Sequence, residues 1–180
     1  MHLAGDGWLE DQAGWKEDVT GFLPWFFAHE AGHLYQGAAL GEPSEADVWI
    51  HEGGANAFAV IALRHLGVEA AYVDERVPSD AARCEEGLTE GPLGTAGDRG
   101  DFDLFYHCGM TIQLLADDEV RAGTDGRETL FDVWQAFLAR VEGGAPWSSA
   151  TFLDILSAHG AVEARALAER MMANPRTGDT

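Results

Sequence analysis

Trp25-Phe26-Phe27-Ala28-His29-Glu30-Ala31-Gly32-His33, read with Trp49-Ile50-His51-Glu52-Gly53-Gly54-Ala55 downstream, decides how this chain folds. The first stretch lies in an apolar run from Gly21 to Leu40 that reads as one helix, with Pro24 in its first turn, where a missing N–H forfeits no intrahelical bond. Helical residues four apart sit about 40° apart around the axis and about 6 Å along it, so His29 and His33 project side by side. Two imidazoles so placed can reach one zinc ion at about 2.0–2.1 Å each. Glu30 lies about 100° round from His29; it cannot join them as a ligand but can reach a water on the ion, which is the position of a general base. A second helix is expected from a capping box at Ser44 and Asp47 to about Leu66, stopped by Gly67. Glu52 falls on it, nineteen residues after His33, and completes a donor set of two histidines and one carboxylate if the helices pack antiparallel. Asn56, four residues further on the same face, is within reach of the ring N–H of a ligand histidine and is expected to orient it.

Farther along the chain the pattern stays helical, and few stretches alternate as strands do. Five glycines and a proline between residues 87 and 100 have loop composition. A third helix is expected from about Asp101 to Ala122, ending at Gly123. Thr129 and Asp132 cap a fourth that ends before Gly143 and Gly144. Two short helices near 149–158 and 161–172 follow, then a tail from residue 173. The whole reads as a single mainly α domain over residues 1–180.

The composition, 46% apolar and 23% charged, suits a globular domain of this length with a core of its own. With 31 acidic against 11 basic residues and a formal charge of −20, binding to nucleic acid is excluded as an expectation. No apolar run approaches the roughly 18–20 residues of a membrane span. Residues 1–10 lack a basic segment followed by an apolar one, so a complete chain is expected in the cytoplasm, whereas a fragment of a longer exported protein leaves localisation open. Cys84 and Cys108 read as two reduced, partly buried thiols, the alternative being a bridge in an oxidising compartment. Trp25, Phe26 and Phe27 read as core packing, and His51 as a polar wall or surface residue turned about 100° from Glu52.

The two histidines, the intervening glutamate and the downstream Glu52 resemble the gluzincin metallopeptidases. The gap of eighteen residues between His33 and Glu52, with Trp49 three before and Gly53 just after the carboxylate, is similar to the glycyl aminopeptidase and aminopeptidase N families, and one residue shorter than in the thermolysin type. Tyr106-His107-Cys108-Gly109 is similar to the Tyr-x-x-Gly of both families, which implies that the Tyr106 phenol stabilises the tetrahedral intermediate. Asp118, Arg121, Thr124, Gly126, Leu130, Asp132 and Val133 fall in a pattern closer to the glycyl aminopeptidases. Together these blocks cover residues 24–133. Gly7-Trp8-Leu9-Glu10-Asp11 is similar to the Gly-x-Met/Leu-Glu edge strand of these peptidases, which implies substrate binding by Glu10. Residues 1–20 are then at most a remnant of the usual N-terminal β-subdomain beside a helical zincin domain.

The resemblance implies one Zn2+ per chain held by His29, His33 and Glu52, and hydrolysis of peptide bonds, of the aminopeptidase kind, with Glu30 as general base and Tyr106 as oxyanion stabiliser. The acidic surface favours a peptide substrate with a cationic N-terminus. Two alternatives keep the zinc site: an endopeptidase or small-molecule hydrolase, and a non-catalytic zinc-binding remnant without a substrate platform. Oligomeric state is not legible in the sequence.

Overall fold

The structure is a computed structural model that describes residues 19–37, 44–68 and 70–173. Among these residues there is no strand. Seven α-helices occur: α1 Val19–Gln36, α2 Val48–Leu66, α3 Ala70–Leu88, α4 Asp103–Gly123, α5 Leu130–Glu142, α6 Ser149–Ala158 and α7 Val162–Met172. The protein is therefore mainly α, as expected. Gly7–Asp11, with Glu10, lies outside the described residues, as do residues 38–43 and those after 173.

Helix α2 is the central element because its sequence is apolar on nearly every face: Trp49, Ile50 and all of residues 53–60 are buried. It packs most extensively on α4, with α1 on its other side, and α4 in turn carries α3 and α7. The α2–α4 crossing is close because two glycines face each other. A Cβ built on Gly109 of α4 would come within 2.8 Å of the Gly53 Cα and would also run into the Trp49 carbonyl oxygen. Gly54 is confined as tightly, with Trp134 Cζ2 and Gln36 Nε2 each 2.6 Å from the position of its absent Cβ. Around this crossing an aromatic core of Trp49, Trp134, Phe137 and Phe152 packs with rings tilted or edge-on.

Several boundaries agree with the sequence. Gly67 ends α2 at φ 65°, and Thr129 with Asp132 forms the capping box of α5. Four expectations change. Pro24 sits sixth in α1 as described, inside the helix rather than in its first turn. Ser44 does bond Asp47, but a 3₁₀ turn at Glu45–Asp47 precedes α2, and the other Asp47 oxygen accepts from Ser149 N at 2.7 Å. Asp47 thus satisfies the start of α6 instead of capping its own helix. Helix α3 was not foreseen: its surface is acidic and Pro78 falls in its interior, which reads as a break, although Val73, Val77, Cys84 and Leu88 recur at helical spacing. The fourth change follows from the third. Cys84 and Cys108 are bridged, not reduced, because α3 lies against α4 and brings their Cα atoms to 4.9 Å.

Candidate metal centre

Helices α1 and α2 place His29, His33 and Glu52 on facing surfaces, and the approach is close because Gly32 lies against Ala55; a Cβ there would stand 3.0 Å from the Ala55 Cα. His29 Nε2 and His33 Nε2 are 2.9 Å apart. Glu52 Oε2 lies 3.5 Å from the first and 3.3 Å from the second. Among the described residues this is the group of histidine and carboxylate side chains that could hold a metal ion.

What surrounds the rings determines which nitrogen is free. His29 Nδ1 is 2.8 Å from Asn56 Oδ1, and His33 Nδ1 is 2.9 Å from Gln36 Oε1. The Gln36 amide is oriented by its own Nε2, which donates to the His51 carbonyl at 2.8 Å, so its oxygen faces His33. Each ring therefore donates its Nδ1–H to an amide oxygen and turns an Nε2 lone pair toward the other ring. Two lone pairs at 2.9 Å repel unless a positive centre lies between them, either a proton or a metal ion. The donor chemistry fits zinc: three donors at about 2.0–2.1 Å from a tetrahedral ion stand about 3.3–3.4 Å apart, and here the three edges are 2.9, 3.3 and 3.5 Å.

The electrostatics agree with a site that collects positive charge. Burial opposes ionisation of Glu52, but hydrogen bonds to His29, His33 and His51 outweigh it and hold the carboxyl well below the usual carboxylate range. Burial likewise opposes a proton on His33, yet its hydrogen bonds to Glu52 and Gln36 and the charges of Glu52 and Glu30 raise its affinity for one. Tyr106 is half-buried and stacks on His29, with ring centroids 5.9 Å apart. Burial and then the neighbouring Glu52 charge push its phenol far above the ordinary value, so it stays protonated and able to donate.

Glu30 is exposed and borders, with His29 and Tyr106, a cleft of about 240 Å³ whose other walls are Phe22, Trp25, Phe26, Asn56 and Arg76. Two expectations are corrected here. Trp25 is buried as foreseen, but Phe26 lines the cleft and Phe27 is 59% exposed. The rise of one residue per 100° that takes Phe27 off the packed face brings Phe26 onto the cleft. His51 takes the polar-wall alternative: its ring stacks on His33 at 4.2 Å and its Nδ1 is 3.5 Å from Glu52 Oε1, so it borders the donor set. Gln36 and Arg76 were missed. Gln36 is three residues after His33, an offset that could have been read from the helix period. Arg76 lies on the unforeseen α3, where no sequence signal ties it to the site.

A larger cavity than this cleft, about 790 Å³, lies elsewhere, at the α2 C-terminus between Ile61, Leu66, Leu114 and Phe131. None of the donors lines it, so size is a poor guide to the chemistry here. No helix among the described residues is long and apolar enough to cross a membrane. No protein-family model matches the chain, and neither does any characterised protein or solved structure at a significant level.

Proposed function

We propose that this chain is a zinc-dependent peptide hydrolase with a gluzincin-type catalytic domain, of the aminopeptidase kind. The observation that carries the reading is the pair of Nε2 atoms facing each other at 2.9 Å, each ring held through Nδ1 and both within 3.5 Å of Glu52 Oε2. His29, His33 and Glu52 would hold the ion, which when bound supplies Lewis acidity toward a carbonyl and acidifies a water. Glu30, at the rim of the cleft, takes the proton of the attacking water and returns it to the leaving amine. Tyr106, kept protonated, donates a hydrogen bond to the carbonyl oxygen as negative charge develops there. Asn56 and Gln36 hold the imidazoles in the required tautomer. The Cys84–Cys108 bridge favours an oxidising compartment over the cytoplasm.

The test is zinc content followed by turnover of aminoacyl chromogenic substrates. Protein freed of metal and reloaded should hold one zinc per chain, and His33→Ala should lose it; an unchanged stoichiometry in that variant would sink the reading. Asn56→Ala frees His29 Nδ1 from its acceptor and should weaken zinc binding about 10–100-fold. Competition with a chelator of known affinity measures this, and an unaltered affinity would reduce Asn56 to packing.

Tyr106→Phe preserves the ring and its stacking on His29 but removes the donor. It should lower kcat about 10²–10³-fold with little change in KM, because the bond forms chiefly in the transition state. Steady-state kinetics at saturating substrate decide it: an unchanged kcat takes Tyr106 out of the chemistry.

A further inference from the structure

The cleft beside the donor set is built with more hydrogen-bond donors than acceptors. On one wall stands Arg76, whose guanidinium is fixed on three sides. Its Cζ lies 4.4 Å over the Trp25 ring, its Nη1 donates to the Tyr72 hydroxyl at 3.0 Å, and its Nε is 3.3 Å from Asp80 Oδ2. Asp80 is only 1% exposed, and His107 Nδ1 stands 3.3 Å from its other carboxylate oxygen; these are close ion-pair approaches without a hydrogen bond at Arg76 Nε, Asp80 Oδ2 or His107 Nδ1. Nη2 makes no hydrogen bond to a described residue, and Arg76 lines both the main cleft and a second one of about 200 Å³ on the far side of Tyr106. Asn56, only 2% exposed and also lining the cleft, has its Nδ2 without an acceptor among the described residues.

A planar guanidinium pinned by a ring below and a carboxylate behind is pre-organised for a second carboxylate, since little side-chain freedom remains to be lost on binding. The surrounding charge narrows the choice. The protein carries −20 overall, and Glu30 faces the same cleft, so a doubly charged phosphate is disfavoured and a single negative charge is the anion that fits. Phe22, Trp25 and Phe26 line the same cleft as Arg76 and His29, which suits an apolar or aromatic side chain next to that charge.

We infer that Arg76 is a specificity-determining residue that receives a carboxylate of the peptide substrate, either the free C-terminal carboxylate of a short peptide or the side chain of an Asp or Glu, adjacent to an apolar residue. The inference rests on the peptide-hydrolase reading for the word substrate, but not for the binding it describes.

Affinities of zinc-loaded protein for two matched ligand pairs test it by calorimetry. Acetyl-phenylalanine against acetyl-phenylalaninamide isolates the terminal carboxylate. Acetyl-Phe-Glu-amide against acetyl-Phe-Gln-amide, measured at 4 °C with Glu30→Gln protein to prevent cleavage, isolates the side chain. In at least one pair the acid should bind about 10–100-fold more tightly than its neutral partner. Arg76→Met, which keeps a long stem on Trp25, should bring that ratio close to one, and Arg76→Lys, which keeps charge but not the fork, should retain part of it. Ratios near one in both pairs with unmodified Arg76 overturn the inference, whether or not either variant folds. So does a preference that survives in folded Arg76→Met, because the carboxylate would then be held by the metal. Failure of the hydrolase reading looks different: aminoacyl substrates are not turned over while the acid preference persists.

Discussion

Glu30→Gln protein should keep its zinc and lose turnover by about 10²–10⁴-fold, the usual contribution of a positioned general base. Glu30 is next to His29 in sequence but outside the triangle of donors, and it is exposed where His29 and His33 are partly covered. The amide is close to the carboxylate in size, so neither the packing of α1 on α2 nor the hydrogen bonds from His29 to Asn56 and from His33 to Gln36 are disturbed. What the variant loses is the ability to accept and return a proton. Zinc content and kcat measured on one preparation therefore separate: the first unchanged, the second reduced. Near-normal rates with full zinc would remove Glu30 from the mechanism, and loss of both would show that it supports the donor set.

Gly109→Ala should lower the melting temperature by about 4–8 °C and, in the folded fraction, turnover by about a hundredfold. Alanine is the better helix former by about 1 kcal/mol, so on local grounds α4 should gain. The tertiary setting reverses the sign. The new methyl would meet the Trp49 carbonyl oxygen and stand 2.8 Å from the Gly53 Cα, atoms of a backbone that cannot rotate aside. Overpacking of this kind costs about 1–3 kcal/mol or more, and with the obstacle a helix backbone the upper part of that range applies, leaving a net loss of about 2 kcal/mol. In a chain of this size each kcal/mol moves the midpoint by about 2–4 °C. The activity loss follows from place: Gly53 adjoins Glu52 and Gly109 is one helical turn from Tyr106, so separating α2 from α4 moves both relative to α1. A misplacement of about 1 Å is enough for a hundredfold effect. A midpoint equal to or above that of the parent protein would show that the crossing is slacker than described.

The helical positions of the candidate site were legible because they are local. An offset of four places His29 beside His33, another places Asn56 on the face of Glu52, and both follow from the 3.6-residue period without reference to the rest of the chain. The capping box at Thr129 and the stop at Gly67 are local in the same sense. The Ser44–Asp47 box shows the limit: the pair forms, but a distant partner, Ser149, takes over the function that the pattern implies.

The sequence by itself determined a mainly α chain, the helices that bear His29, His33, Glu52 and Tyr106, and the residue types at those positions. Only the tertiary structure decided that these helices converge, that the His51 carbonyl turns the Gln36 amide oxygen toward His33, that His51 walls the donor set, that Cys84 reaches Cys108, and that Arg76 stands over Trp25 in the cleft. The division has a physical cause. A helix period is written in neighbours a few residues apart, whereas the placement of α3 depends on apolar burial against α4 shared by few side chains, and the His29 ring orientation depends on a hydrogen bond to Asn56, which the Gly32–Ala55 contact brings near. That contact needs the absence of a Cβ at a particular point, and a glycine in a sequence does not say what will lie against it.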